Sequence, residues 1–156
     1  MLPPNRAWGT LLAAACVLAG SLPAAPLAAR AYLIGTTVSG FASKCDVRVD
    51  ITGEDEILFV TQKLTLHVPY NMVSTLEYGQ HVAGRYLEAV LFSPLFLLSK
   101  SRKHFLTVFY TDSKGKQQAV VMQVNKSDVR ALLPELEART GRRVEYTDDE
   151  ARRGRG

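Results

Sequence analysis

KHFLTVFYTDSKGKQQAVVMQVNKSDVRALLPELEARTG, residues 103–141, is the stretch that decides the fold. Lys103 to Thr111 and Gln117 to Asn125 are both rich in the β-branched and aromatic residues that suit a pleated, half-buried surface, so they read as two strands. Between them, Asp112-Ser113-Lys114-Gly115 places a side-chain acceptor at the start of a turn and a glycine where positive φ is next needed. The strands therefore form a hairpin. Ser127 and Asp128 offer N-cap chemistry for a following helix, in which Val129, Leu132, Leu133 and Leu136 recur at i, i+3, i+4 and i+7 as one apolar stripe. Gly141 ends it, and Glu137 lies off the stripe, facing solvent. The stripe needs a surface to cover, and Val120, Met122 and Val124 supply one by sharing a face of the second strand. Pro134 sits past the first helical turn, where a lost hydrogen bond and a carbonyl clash cost about 3 kcal/mol. Either the helix kinks near Leu133, or Pro134 opens a second helix whose first turn carries Glu135 and Glu137.

Upstream of the hairpin the chain reads as a meander. Tyr32 to Val38 is a weakly defined lead-in strand, and Cys45, Val47, Val49 and Ile51 alternate with Asp46, Arg48 and Asp50, which makes Cys45 a core residue. Thr52 to Asp55 turns the chain into the return strand Glu56 to Thr61. After a reversal at Gln62-Lys63, Leu64, Leu66 and Val68 alternate with Thr65 and His67. Pro69 lacks a backbone donor and belongs at a strand end, an edge or a bulge, before extended sequence resumes at Val73 to Tyr78 and stops at Gly79. Past the helix, Arg142 to Thr147 adds a short strand, and the mixed-charge tail 148–156 has almost nothing to bury.

Residues 1–31 read as an export signal. Arg6 is a short basic lead, Trp8 to Leu22 is almost wholly apolar, and Ala29-Arg30-Ala31 has the small residues of a cleavage site, so a mature domain starts at Tyr32 and runs to residue 147. Gly9, Gly20, Pro23 and Pro26 argue against a stable spanning helix, and Ala13-Ala14-Ala15 before Cys16 lacks the large apolar residue of a lipobox. The alternative is an uncleaved anchor. Cleavage lowers the net charge from +4 to +2, too balanced for a nucleic-acid footprint. It also leaves Cys45 without an intramolecular partner, so stability comes from a hydrophobic core. The location implied is periplasmic or secreted.

The segment 85–98 is unlike a strand connector. From Tyr86 it reads YLEAVLFSPLFLLS, two apolar tetrads around Ser93-Pro94, followed by Lys100, Arg102 and Lys103. About ten apolar residues are too few to cross a bilayer as a helix. A basic stretch beside an apolar one suits an anionic membrane surface or a protein partner, so Leu91, Phe92, Leu95, Phe96, Leu97, Lys100, Arg102 and Lys103 are the candidate contact residues. Burial against the sheet is the competing reading. His67, His81 and His104 show no metal-ligand spacing, there is no glycine-rich phosphate loop or nucleophile elbow, and no cofactor is implied. A non-enzymatic binding module is therefore expected, the alternative being a small envelope enzyme with Cys45 as nucleophile. The cluster Arg139, Arg142 and Arg143 reads as cations offsetting the helix C-terminus.

Val68-Pro69-Tyr70-Asn71-Met72-Val73-Ser74-Thr75-Leu76-Glu77 resembles the I-P-x-x-x-I-x-x-I/V-E strand of the pleckstrin-homology-like superfold, including its bacterial and GRAM-type members. The likeness covers roughly residues 45–141, extends to exported bacterial proteins of unknown function, and is departed from by the insert at 85–98. It implies a mainly β fold: an antiparallel sandwich or open barrel of about seven strands, capped by one C-terminal helix and binding ligands or peptides without catalysis.

Overall fold

The computed structural model describes residues 28–41, 43–80, 103–148 and 153. Most of the leader, the apolar insert 85–98 and most of the charged tail lie outside the described residues. The chain is mainly β with one C-terminal helix. Strands β1 (Ala28–Thr36), β2 (Cys45–Asp50), β3 (Glu56–Val60) and β4 (Thr65–Pro69) precede a 3-10 turn at Tyr70–Met72. Strands β5 (Val73–Gly79), β6 (His104–Thr111) and β7 (Gln117–Val124), helix α1 (Lys126–Thr140) and β8 (Val144–Tyr146) follow. The strands form one open eight-stranded sheet in the order β4-β3-β2-β1-β7-β6-β5-β8, antiparallel throughout except for β5 against β8.

The β6–β7 turn forms as its residues dictate. Asp112 Oδ1 accepts the N–H groups of Lys114 and Lys116, each at 2.9 Å, and Oδ2 accepts Gln118 Nε2 at 2.9 Å. Gly115 takes φ 75° and donates to Asp112 O at 2.9 Å. The Gln118 bond foremost, with the Lys116 N–H next, holds the Asp112 carboxyl below its ordinary value of 3.8. A carboxyl with a depressed folded pKa contributes stability that is present above about 3.8 and is lost as pH falls through the lower, folded value. Asp112→Asn is accordingly expected to lower the melting temperature near pH 7, by a margin that shrinks as both proteins are acidified. Melts between pH 2 and 7 check this, and a margin independent of pH would refute it.

Helix α1 lies on the inner face of the sheet. Val129, Leu132, Leu133 and Leu136 join one core with Val120, Met122 and Val124 of β7, as the spacing predicts, and with Leu33, Val47, Val49, Ile57, Phe59, Leu76 and Leu106 from the other strands. The helix starts two residues earlier than an N-cap at Ser127 would set it, because Asn125 is the N-cap and its carbonyl accepts the N–H groups of Asp128 and Val129 at 3.0 and 3.2 Å. Ser127 instead bonds the Asp128 carboxylate at 3.1 Å within the first turn. Pro134 is accommodated inside a single helix, so no second helix begins there. Packing on both sides of the proline outweighs the lost bond. Gly141, at φ 67°, caps the end by donating to Glu137 O at 3.0 Å.

Three expectations need correction. The lead-in strand begins at Ala28 rather than Tyr32 and lies between β2 and β7 at the middle of the sheet, where its small side chains fit under the helix. Cys45 is half-buried at the start of β2, packed against the core rather than within it. Leu64 is 48% exposed, because β4 is the outermost strand, where Val68, nearer the 3-10 turn, is buried in the core and Leu66 packs against it. Pro69 ends that strand, and the 3-10 turn swings the chain from one edge of the sheet to β5 near the other.

The outer face is buried as well around β1, β7 and β6. Ile34, Phe105 and Val121 make a second apolar cluster with Tyr32 packed on it, and no described helix residue belongs to it. Register puts Glu77, Thr107 and Val121 in one row across this face, and Glu77 is 4% exposed. Among the described residues no buried side-chain nitrogen or oxygen lacks a hydrogen-bond partner.

Candidate functional site

Seven of the candidate contact residues, Leu91, Phe92, Leu95, Phe96, Leu97, Lys100 and Arg102, lie outside the described residues. Lys103 is described and is half-buried directly before β6. Its position is informative because Gly79 and Phe105 are register partners in adjacent antiparallel strands. The segment that leaves after Gln80 and returns at Lys103 thus starts and finishes side by side at one end of the sheet.

A compact aromatic and polar group marks that end. Tyr78 and His104 are diagonal neighbours on the inner face, with the phenol oxygen 2.7 Å from His104 Nδ1 and the rings stacked at 5.8 Å and 5°. Tyr146 meets Tyr78 edge-on at 6.1 Å. β8 is held there by Thr147 N–H, which donates to Tyr78 O at 3.0 Å, and by Asp148 Oδ2, which accepts the Gln80 N–H at 2.5 Å. Gly79 is what permits this approach, since a Cβ there would collide with the Thr147 side chain and sit 2.7 Å from Asp148 Oδ2. Burial, with the negative charge of Asp148 and then Tyr146 adding to it, raises the Tyr78 phenol above its ordinary value of 10.0, so the group stays protonated and serves as a hydrogen-bonding partner. This group was not foreseen from the sequence. Tyr78 and His104 could be read only as strand residues, and their joining to Tyr146 depends on the parallel pairing of β8.

Geometry separates Cys45 from both described histidines. His104 is on β6, with β1 and β7 between it and β2. His67 pairs with Leu58, which in turn faces Asp50, the opposite end of β2 from Cys45. Neither is in a position to take the thiol proton, which requires hydrogen-bond reach. His67 is instead a surface residue 3.0 Å from the Glu56 carboxylate, an exposed pair worth little. Among the described residues no three His, Cys, Asp or Glu converge as a metal-ligand set, and no helix is long and apolar enough to cross a membrane.

The arginines after the helix stripe do more than offset its C-terminus. Arg139 bonds Glu135 Oε1 through Nε and the Gly53 carbonyl through Nη1, both at 2.6 Å, and its guanidinium lies 5.7 Å from the centre of the Tyr70 ring. The Tyr70 hydroxyl donates toward the same Gly53 carbonyl at 3.1 Å. Arg142 Nε donates to Val73 O at 3.2 Å. Both side chains fasten the helix and its exit to the sheet, so they belong to the scaffold. Glu137 likewise accepts the Val144 N–H at 2.8 Å and anchors β8, which corrects its reading as a solvent-facing residue.

No protein-family model matches this chain, nor does the sequence of any curated protein.

Proposed function

We propose that the chain is an exported, non-catalytic binding module of the bacterial cell envelope, of pleckstrin-homology-like architecture, which contacts an anionic membrane surface through residues 86–98 and the basic residues after them. The observation that carries this reading is the adjacency of Gln80 and Lys103: it delivers the apolar tetrads, Lys100, Arg102 and Lys103 to one end of the domain. Apolar residues flanked by lysine and arginine are what interfacial binding uses, each basic residue near an anionic leaflet adding about 1 kcal/mol. The meander, the bent passage through Pro69 and the single C-terminal helix support the likeness to the superfold. The alternative, an enzyme with Cys45 as nucleophile, is disfavoured by the placement of that residue away from His67 and His104.

A second reading is favoured by the outer sheet face, where Ile34, Phe105 and Val121 are buried without a described helix over them. In that reading 86–98 serves as cover for the sheet. Replacing Leu95 and Phe96 together by Ser separates the two. The binding reading expects affinity for anionic lipid vesicles to fall by about 100-fold, from the loss of two large apolar contacts, with an unchanged melt. A large loss of stability, with no vesicle binding by either protein, assigns the segment to the core. Retained stability with binding only to an envelope protein assigns it to a protein partner.

A further inference from the structure

We propose that the leader is removed upstream of β1, between Ser21 and Leu22, and that Ala28 to Ala31 remain in the mature protein as structural residues. The proposal rests on the export reading above. Its ground is the position of β1. This strand alone joins the β2-β3-β4 meander to the rest of the sheet through β7. Six register pairs make the β1–β2 junction, and four of them use Ala28, Ala29, Arg30 and Ala31, opposite Asp50, Val49, Arg48 and Val47. Cleavage after Ala31 would leave only Tyr32 with Asp46 and Leu33 with Cys45 to hold three strands. It would also remove Ala31 from its pairing with Val124 of β7.

The side chains make the same point. Ala29 and Ala31 are 4% and 8% exposed, within the main core beside Val47 and Val49. Arg30, between them, is exposed, so the three residues show the in-out alternation of a half-buried strand. The small residues that resemble a cleavage site are small because they face a packed core.

A leader peptidase still needs small residues one and three positions before the scissile bond, after an apolar run of about 7 to 15 residues. Ala19-Gly20-Ser21 meets that requirement after the apolar run that begins at Trp8. The other upstream choice, Pro23-Ala24-Ala25, is followed by Pro26, whose nitrogen carries no hydrogen and whose ring restricts the residue before it. Hydrolysis adds one water across the Ser21–Leu22 peptide bond, leaving a carboxylate on Ser21 and an ammonium group on Leu22.

The test is the intact mass of the full chain after expression and export in a bacterial host. A mass corresponding to residues 22–156 is expected, and Leu22→Pro should block processing. Mature protein beginning at Tyr32 or at any other residue, from either version, overturns the site while leaving export intact. An unprocessed wild-type chain retained inside the cell overturns the export reading and the site with it. As a second measurement, a chain starting at Tyr32 should melt at least about 10 °C below one starting at Leu22, and equal melts overturn the structural role of Ala28 to Ala31.

Discussion

Leu136→Ala is expected to lower the stability by about 2 to 5 kcal/mol in denaturant melts. Leu136 is fully buried in the third turn of the apolar stripe, where the helix covers the inner face of β7. Truncation removes transfer energy and leaves a cavity between two rigid elements that cannot close around it. The proper comparison is Arg130→Ala on the exposed side of the same helix, which should change stability by no more than about 0.5 kcal/mol. Glu137 is unsuitable for that purpose, since its carboxylate holds the first residue of β8. Equal effects at positions 136 and 130 would mean that the stripe does not hold the helix on the sheet.

Arg139→Ala is expected to cost about 1 to 2 kcal/mol, toward the low end for charge-assisted hydrogen bonds because the side chain is 28% exposed. The loss falls on three partners together: the Glu135 carboxylate, the Gly53 carbonyl in the β2–β3 turn, and the face of Tyr70. Arg139→Lys keeps the charge but not the planar fork that reaches Glu135 and Gly53 at once, so it should recover less than half of the loss. Full recovery by lysine would show that only charge near the helix end matters.

How far the sequence disclosed the fold depended on whether the deciding chemistry was local. The β6–β7 hairpin was legible because Asp112 and Gly115 carry the turn within four residues, and the helix because its stripe enters the same core as the inner face of the strand directly before it. β1 was cut short because alanine has little strand preference and small residues also mark cleavage sites, while its true environment is supplied by β2 and β7. In β7 the period-two reading placed Val120, Met122 and Val124 on the helix side, while burial of the other face, where Val121 joins the outer cluster, was not legible because both faces are apolar. The helix start moved to Asn125 because a backbone carbonyl satisfies the first-turn donors there. For the candidate site, the sequence located the insert and its basic flank but could not show that Tyr78, His104 and Tyr146 meet beside it. That meeting needs a strand added from the far end of the chain.

The parallel pairing of β8 with β5 also sets an order of assembly. Gln80 and Asp148, which clasp the two strands together, are 68 residues apart, and β8 follows the helix in sequence and joins the edge of the sheet. Contacts of such separation close late, because the loop entropy is spent before they form. Until residues 144–148 dock, β5 presents a bare strand edge, the feature through which half-made β proteins stick to one another. Residues 144–148 thus act as a seam sealer for the newly made chain, and truncation just before Val144 should show itself first as aggregation before folding is complete rather than as a lower melting point of the folded product.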